Sequence, residues 1–350
     1  MKKKPSITIV DIAKEAGTSI STVSRIINNT HHQVNISVKK RVLKIIDEKG
    51  YAPNPLGRTL RVGDIQEIGV ILPTFQNPFY TQVLSGIEKT AAKMGYNVII
   101  YSSHHSKELE ARHIKALVDK RIRGMIIANV DGDNLEQIRQ FANNGGVVAS
   151  LEEIRHYNCI AVDQDCFNGA KLATQHLIAN GHRNIAFLSL PLVKWTRKEI
   201  LNGYIEVLKQ HGIPLLEDLV ITCDEDIAAT VYEFECGKVL AERFLRLDPR
   251  PTAILTVNDI TAFGIIQILL NSGVKVPDDV SIVGFDNIYI SPMISPRLTT
   301  VSIPSAKIGS NICDKLIEKM KANEDFEELC MRFEAELIVR DSVKNIDMNF

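Results

Sequence analysis

Long apolar runs are missing from this 350-residue sequence. No stretch approaches the roughly 18 to 20 residues that a membrane-crossing helix needs. Lys2, Lys3 and Lys4 lead into a helix-like segment rather than an apolar signal core, so the expected location is the cytoplasm, with no membrane partner. Cysteine is sparse too. Cys159, Cys166, Cys223, Cys236, Cys313 and Cys330 form no C-x-x-C pair, which argues against a zinc or redox motif and predicts reduced thiols without a metal. There is no G-x-S-x-G, G-x-G-x-x-G, P-loop or H-E-x-x-H, and Asp131, Asp133 and Glu136 lack the length and closing glutamate of a calcium loop. Neither an enzyme nor a cofactor is expected.

A net charge of one sign is also nearly absent, the formal value being −1. Its distribution is uneven: residues 1–61 carry 12 Lys or Arg against 4 Asp or Glu, a charge of +8, which leaves −9 for the remainder. A small basic head on an acidic body suits a head that meets a polyanion and a body with another task. With 45% hydrophobic and 24% charged residues, the chain is long enough for two or more packed domains.

The first fifty residues carry helix punctuation. Thr8 and Asp11 have capping-box spacing before Ile12, Ala13 and Ala16, and Gly17 supplies a stop. Ser19 can cap a second helix whose Val23, Ile26 and Ile27 share one side, leaving Ser21, Thr22 and Arg25 outward. Ser37 can cap a third, with Val38, Val42, Ile45 and Ile46 on one face and Gly50 at its end. Asn54 and Pro55 then open a segment through Arg61 that is too short to stand as an isolated helix. From Ile65 onward, short β-branched runs alternate with amphipathic stretches, as in parallel sheets covered by helices. Strands are expected at 67–72, 96–101, 124–128, 147–151, 184–189, 218–222, 252–257 and 280–285, with helices at 79–94, 168–180 and 259–272. About 275 residues of this pattern imply two α/β lobes with a cleft between them.

The strings TIVDIAKEAGTSISTVSRIIN (8–28) and VNISVKKRVLKIIDEKGYAPNPLGRTLR (34–61) resemble the head of the LacI/GalR family of transcription repressors. The resemblance continues through IGVILPTFQNPFY (68–80), LIANGHRNIAFL (177–188), PTAILTVNDITAFG (251–264), VPDDVSIVGFDN (276–287) and PRLTTVSIP (296–304), covering nearly the whole chain. It implies a three-helix, lambda-repressor-like helix-turn-helix domain (1–52) and a hinge helix with its linker (53–64). A periplasmic-binding-protein-like core (65–340) and a C-terminal tail (341–350) would follow. The core divides into an N-lobe, about 65–163 and 296–326, and a C-lobe, about 164–293 and 329–340.

Functionally, the resemblance implies a homodimer on a palindromic double-stranded DNA operator, with affinity set by a small-molecule effector, a sugar or sugar derivative, or by a protein corepressor. The tail has no leucine heptads for a tetramer-forming coil. A solute-binding protein is the alternative class, but it would need a signal peptide and would not carry the basic head.

In the head, Arg25 can grip the two major-groove acceptors of guanine, while Ile20 offers apolar contact and Ser21 can bond many base edges. Thr8, Ser19, Thr22, Ser24 and Asn28 match positions that contact phosphate or support the turn. Leu60 matches a leucine wedged into the central base step, and Gly57 and Arg58 precede it in the same DNA-contacting hinge. Gly57 departs from the alanine common at its position and makes the hinge harder to order. In the core, Phe79, Tyr80, Thr196, Tyr232, Asn258 and Asp286 match effector-pocket positions. Ile200 stands where sugar-binding members carry an arginine, and Glu152 replaces a common aspartate. Lys194, Arg197 or Lys198 could supply the missing donor, with Trp195 in the same loop.

Overall fold

A computed structural model describes residues 7–27, 35–49, 66–128, 134–151, 159–224, 232–322 and 329–346. Asn28, Gly57, Arg58 and Leu60, as well as Asp131, Asp133 and Glu152, lie outside the described residues. The chain divides into two compact units, Met1–Ile65 and Gln66–Phe350.

The first unit holds α1 (Ile9–Glu15), α2 (Ile20–Ile27) and α3 (Ile36–Lys49). The Thr8–Asp11 capping box forms in both directions, and Gly17, at φ 60°, makes the left-handed turn after α1. Its hydrogen bond to Thr8 holds the Asp11 carboxyl below the ordinary 3.8. Ser19 Oγ accepts from the Thr22 amide at 3.1 Å, capping α2 as expected. The cap of α3 is Asn35 instead of Ser37: its Oδ1 accepts from the Ser37 amide at 3.0 Å and from the Ser37 hydroxyl at 2.8 Å. An asparagine reaches one turn forward as readily as a serine, so the helix starts two residues earlier. Ile12, Ala13, Ala16, Val23, Ile26, Val42 and Ile45 are buried together, drawing one stripe from each helix into a single small core.

The second unit contains two six-stranded sheets. The first lobe comprises β1 (Glu67–Leu72), α4 (Pro78–Lys93), β2 (Asn97–Ser102), α5 (Lys107–Asp119), β3 (Gly124–Ile127), α6 (Leu135–Asn143), β4 (Val147–Ser150) and β5 (Ile160–Asp163). The second lobe follows with α7 (Cys166–Ala179), β6 (Ile185–Ser189), α8 (Trp195–Gln210), β7 (Val220–Thr222), α9 (Glu233–Phe244), β8 (Ala253–Thr256), α10 (Asp259–Asn271), β9 (Ser281–Asp286) and β10 (Thr299–Ser302). The chain then returns through α11 (Ser305–Ala322) and β11 (Leu329–Arg332) before ending in β12 (Glu336–Ile338). The sheet orders are β11-β5-β4-β3-β1-β2 and β12-β10-β9-β8-β6-β7. All pairings are parallel except β10 with β12. Parallel strands need a crossover helix, and the apolar runs of β1, β6 and β8 are buried as such sheets require. Helices α4 and α11 approach closely enough that a Cβ on Gly309 would overlap the Val83 carbonyl oxygen.

Three further expectations change. Residues 218–222 are not one strand: a 3-10 turn at Glu217–Leu219 precedes β7. Lobe membership also differs near the C-terminus, because β10 pairs with β9 in the second sheet and β11 with β5 in the first. The boundary drawn at 296 therefore moves past β10, and the one drawn at 329 moves past β11. Finally, residues 341–346 are not a tail. Ser342 is fully buried; its Oγ accepts from the Thr299 amide and donates to the Ile282 carbonyl, while Asp341 pairs with Arg297. Backbone groups of Lys344 and Ile346 bond to Ser281 Oγ and Asn180 O. This segment satisfies polar groups of the second lobe that would otherwise be buried without partners.

Candidate functional site

In the head, α2 begins with a cluster of hydroxyls. Ser19 Oγ lies 2.7 Å from Ser21 Oγ and 2.8 Å from Thr22 Oγ1. Ser21 and Arg25 are exposed, one helical turn apart on the same side, whereas Ser24 is half-buried. Ile20 is half-buried against the head's own core, so its apolar surface is shared between packing and any thymine methyl. Thr8 is engaged by Asp11 at 2.7 Å. The exposed face of α2 therefore offers a helix N-terminus, hydroxyls and one guanidinium, a set suited to phosphate and base edges.

In the core, a cavity of about 60 Å³ lies between the lobes. Its lining comes from the carboxyl ends of strands in both sheets, where open α/β sheets place ligands. After β1 come Asn77, Phe79 and Tyr80; after β6, Lys194, Thr196 and Arg197; after β8, Asn258; at the end of β9, Asp286. Asn77 is expressed locally as the N-cap of α4: its Oδ1 accepts from the Phe79 amide at 2.9 Å, with Pro78 at the first helical position. Its Nδ2 is thereby aimed across the cleft and donates to Glu233 Oε2 at 2.7 Å, both residues being buried. Other bonds also cross the cleft. Lys194 Nζ donates to the Tyr80 hydroxyl at 3.3 Å, and the Tyr232 hydroxyl donates to the Gln76 carbonyl at 3.2 Å.

The electrostatics follow from burial. Desolvation raises the Glu233 carboxyl above the ordinary 4.5, opposed by Arg197, Lys194 and the Asn77 amide. It raises Asp286 well above 3.8, with Asp259 and Glu233 adding to the shift and Asn77 and Lys194 opposing it. Two carboxyl groups and two cations thus share a small volume with Asn258, whose Oδ1 caps α10 by accepting from the Thr261 amide at 2.8 Å. Such a set can fix the hydroxyls or N–H groups of a small molecule from several sides, with Phe79 and Tyr80 as apolar faces.

Phe79, Tyr80, Lys194, Thr196, Asn258 and Asp286 all meet in the cavity. Trp195 and Tyr232 do not line it. Trp195 is 40% exposed and faces a neighbouring recess of about 250 Å³ with Asp163, Asp165 and Arg332. Tyr232 serves as a bridge between lobes. Ile200 lines the cavity without a hydrogen-bonding group, as its departure implied, and the Arg197 guanidinium is partly committed to the Pro191 carbonyl at 2.9 Å. Asn77, Gln164 and Glu233 were not foreseen. Asn77 could have been found from the Asn-Pro cap signal; Glu233 adjoins Tyr232 but carries no motif of its own.

Fold and sites together define a helix-turn-helix regulator with a two-lobed ligand-binding core. Comparison with known proteins places it further. Residues 65–332 match the model of periplasmic binding proteins and the sugar-binding domain of the LacI family, and residues 8–54 match that of bacterial regulatory proteins of the lacI family. A repressor named PurR from Mannheimia succiniciproducens is 30% identical over 341 residues, covering 97% of this chain and 99% of that one. Another from Pasteurella multocida is 31% identical, with 97% and 99% covered. The lac repressor dimer bound to operator and the anti-inducer ONPF superposes with a TM-score of 0.83 at 24% identity, covering 97% and 100% of the two chains. The regulator CelR in its cellobiose complex gives 0.71 at 25%, with 97% and 100% covered. The chain belongs to the LacI family. It is a DNA-binding transcriptional repressor with an effector-binding core, and not an enzyme.

Proposed function

We propose that this repressor grips a palindromic operator as a homodimer in the cytoplasm and that occupancy of the cavity by a small molecule sets its affinity for DNA. The observation that carries this reading is the cavity itself: groups from both lobes converge on it, and the buried Asn77–Glu233 bond ties the lobes together at its edge. A ligand competing for Glu233 or Asp286 changes the free energy of lobe closure, which is the differential interaction that coupling requires. The cavity has room for roughly four or five waters, so a sugar-sized molecule enters only as the lobes part. Carboxyl and amide groups favour a hydroxyl-rich effector, a sugar or sugar derivative, and Glu233 with Asp286 disfavours a phosphorylated one.

On the DNA side, Arg25 and Ser21 read base edges while Ser19, Thr22 and Ser24 position α2 on phosphates. Two linked heads gain effective concentration over one and match the two-fold symmetry of a palindrome. Thermal-shift titration against sugars, sugar phosphates and nucleobases tests the effector half, since ligand at 100 times its Kd stabilises by about 2.7 kcal/mol. A stabilising sugar supports the reading. Silence from every sugar, with stabilisation by a sugar phosphate or nucleobase, refutes the proposed class. DNA binding must weaken steeply with salt, as phosphate contacts dictate.

A further inference from the structure

We propose that Asp259 is the positioning residue for Asp286: it holds the turn after β9 in the one conformation that presents the Asp286 carboxyl to the effector. This rests on the reading of the cavity given above. Asp259 itself does not line the cavity. It is the first residue of α10, directly after the cavity residue Asn258, and is fully buried behind it.

Each of its oxygens is used by the segment that carries Asp286 or by the strand beside it. Oδ2 accepts from the Ile288 amide at 3.0 Å and from the Ser291 hydroxyl at 2.5 Å. Oδ1 accepts from the Thr300 hydroxyl at 2.5 Å, and Thr300 Oγ1 accepts in turn from the Asn287 amide at 3.4 Å. Asn287 is also gripped by Arg340, whose guanidinium donates to Asn287 Oδ1 at 2.6 Å and to the Leu298 carbonyl at 2.6 Å.

These bonds hold an unfavourable backbone. Asp286 has φ 101° and Asn287 φ 51°, in the left-handed region that side-chain-bearing residues rarely enter. Such a conformation persists where its surroundings over-determine it. Gly284 makes the arrangement possible, because a Cβ there would overlap Asp259 Oδ1. The sequence Asn258-Asp259 thus does two jobs with adjacent side chains, one facing the cavity and one bracing the neighbouring strand end that carries Asp286.

Charge enters as a second link. Asp259 faces Asp286 at the end of β9 and Arg340 after β12, while Asp286 also faces Glu233 at the start of α9 and Lys194 before α8. Burial lifts the Asp259 carboxyl to about 7, against the opposing pull of its hydroxyl and amide donors and of Arg340. Its charge in turn pushes Asp286 upward.

The test uses the full-length protein alone, so a failure to find an effector leaves it untouched. Amide hydrogen exchange is followed by mass spectrometry on peptides spanning 284–292 in wild type, Asp259→Ala, Asp259→Asn and Thr300→Val. Asp259→Ala is expected to speed exchange there at least tenfold, and Thr300→Val about threefold. Asp259→Asn keeps the shape and removes the charge. In aspartate-13C-carboxyl spectra between pH 4 and 8, assigned with Asp286→Asn, this variant should shift the Asp286 titration to lower pH. Unchanged exchange in Thr300→Val and in whichever Asp259 variants fold would overturn the proposal. So would an unmoved Asp286 titration in Asp259→Asn, since a purely structural residue leaves that titration where it was.

Discussion

Replacing Asn77 separates two roles carried by one side chain. Asn77→Ala removes the cap of α4, worth about 1 kcal/mol, and strips a buried Glu233 of its charge-assisted donor, worth about 1.5 to 3 kcal/mol. The Asn77 oxygen and nitrogen make these bonds at 2.9 and 2.7 Å, so the full loss is about 2.5 to 4 kcal/mol. Asn77→Ser restores a capping oxygen but has no second donor to reach the other lobe, and should recover about 1 kcal/mol. What remains is the interlobe bond. If lobe closure depends on it, about 2 kcal/mol shifts the closed-to-open ratio roughly 30-fold, at tenfold per 1.4 kcal/mol. Urea unfolding of Asn77→Ser, Glu233→Ala and the double variant measures the pair directly, and small-angle scattering reads the opening. A coupling of about 1 kcal/mol or more is expected. Coupling below about 0.3 kcal/mol, with an unchanged radius of gyration, would refute the idea that this bond ties the lobes.

Other outcomes follow from the same geometry. Asp286→Ala should abolish the response to an effector while leaving operator affinity intact, checked by anisotropy titrations with and without the compound. Arg25→Ala should cost about 1 to 3 kcal/mol at one base position and flatten preference there, read by binding to a set of single-base operator variants. Gly309→Ala, which forces a methyl onto the Val83 carbonyl, should lower stability by about 1 to 3 kcal/mol through overpacking, seen in urea midpoints. The raised carboxyl of Asp259 has a pH signature. The folded state holds this proton more tightly than the unfolded chain, so its contribution is full below 3.8 and is lost as pH rises to about 7. Unfolding of Asp259→Asn should therefore gain on wild type across that window, and a difference independent of pH would contradict the assignment.

Much of the fold was legible because local rules and tertiary structure agree. The Thr8–Asp11 box, the Ser19 cap, the Gly17 stop and the strands beginning near 67, 97, 124, 147, 185, 253 and 281 stand within a residue or so of expectation. Helices α4, α7 and α10 do likewise. The strands not foreseen, β5, β10, β11 and β12, are three or four residues long. β11 and β12 carry polar residues, and their existence depends on partners far away in sequence rather than on their own pattern. The same holds for 341–346: nothing in RDSVKN marks Ser342 as buried until the backbones of Ile282 and Thr299 are beside it.

The cavity repeats the lesson. Residues inside long motifs, such as Phe79, Asn258 and Asp286, were found. Glu233 was not, because its meaning lies in a bond to a residue 156 positions earlier. Trp195 and Tyr232 sit next to cavity residues in the chain but turn elsewhere, since consecutive positions at a helix start point in different directions.

The coupling of cavity occupancy to DNA affinity is open to direct measurement. The most direct measurement takes a palindromic site selected by the protein from random duplexes and titrates it at fixed salt, with and without the compound that shifts the melting temperature most. At least a tenfold change in Kd is expected, absent in Asp286→Ala. A compound that binds the core and leaves operator affinity unchanged would contradict the account.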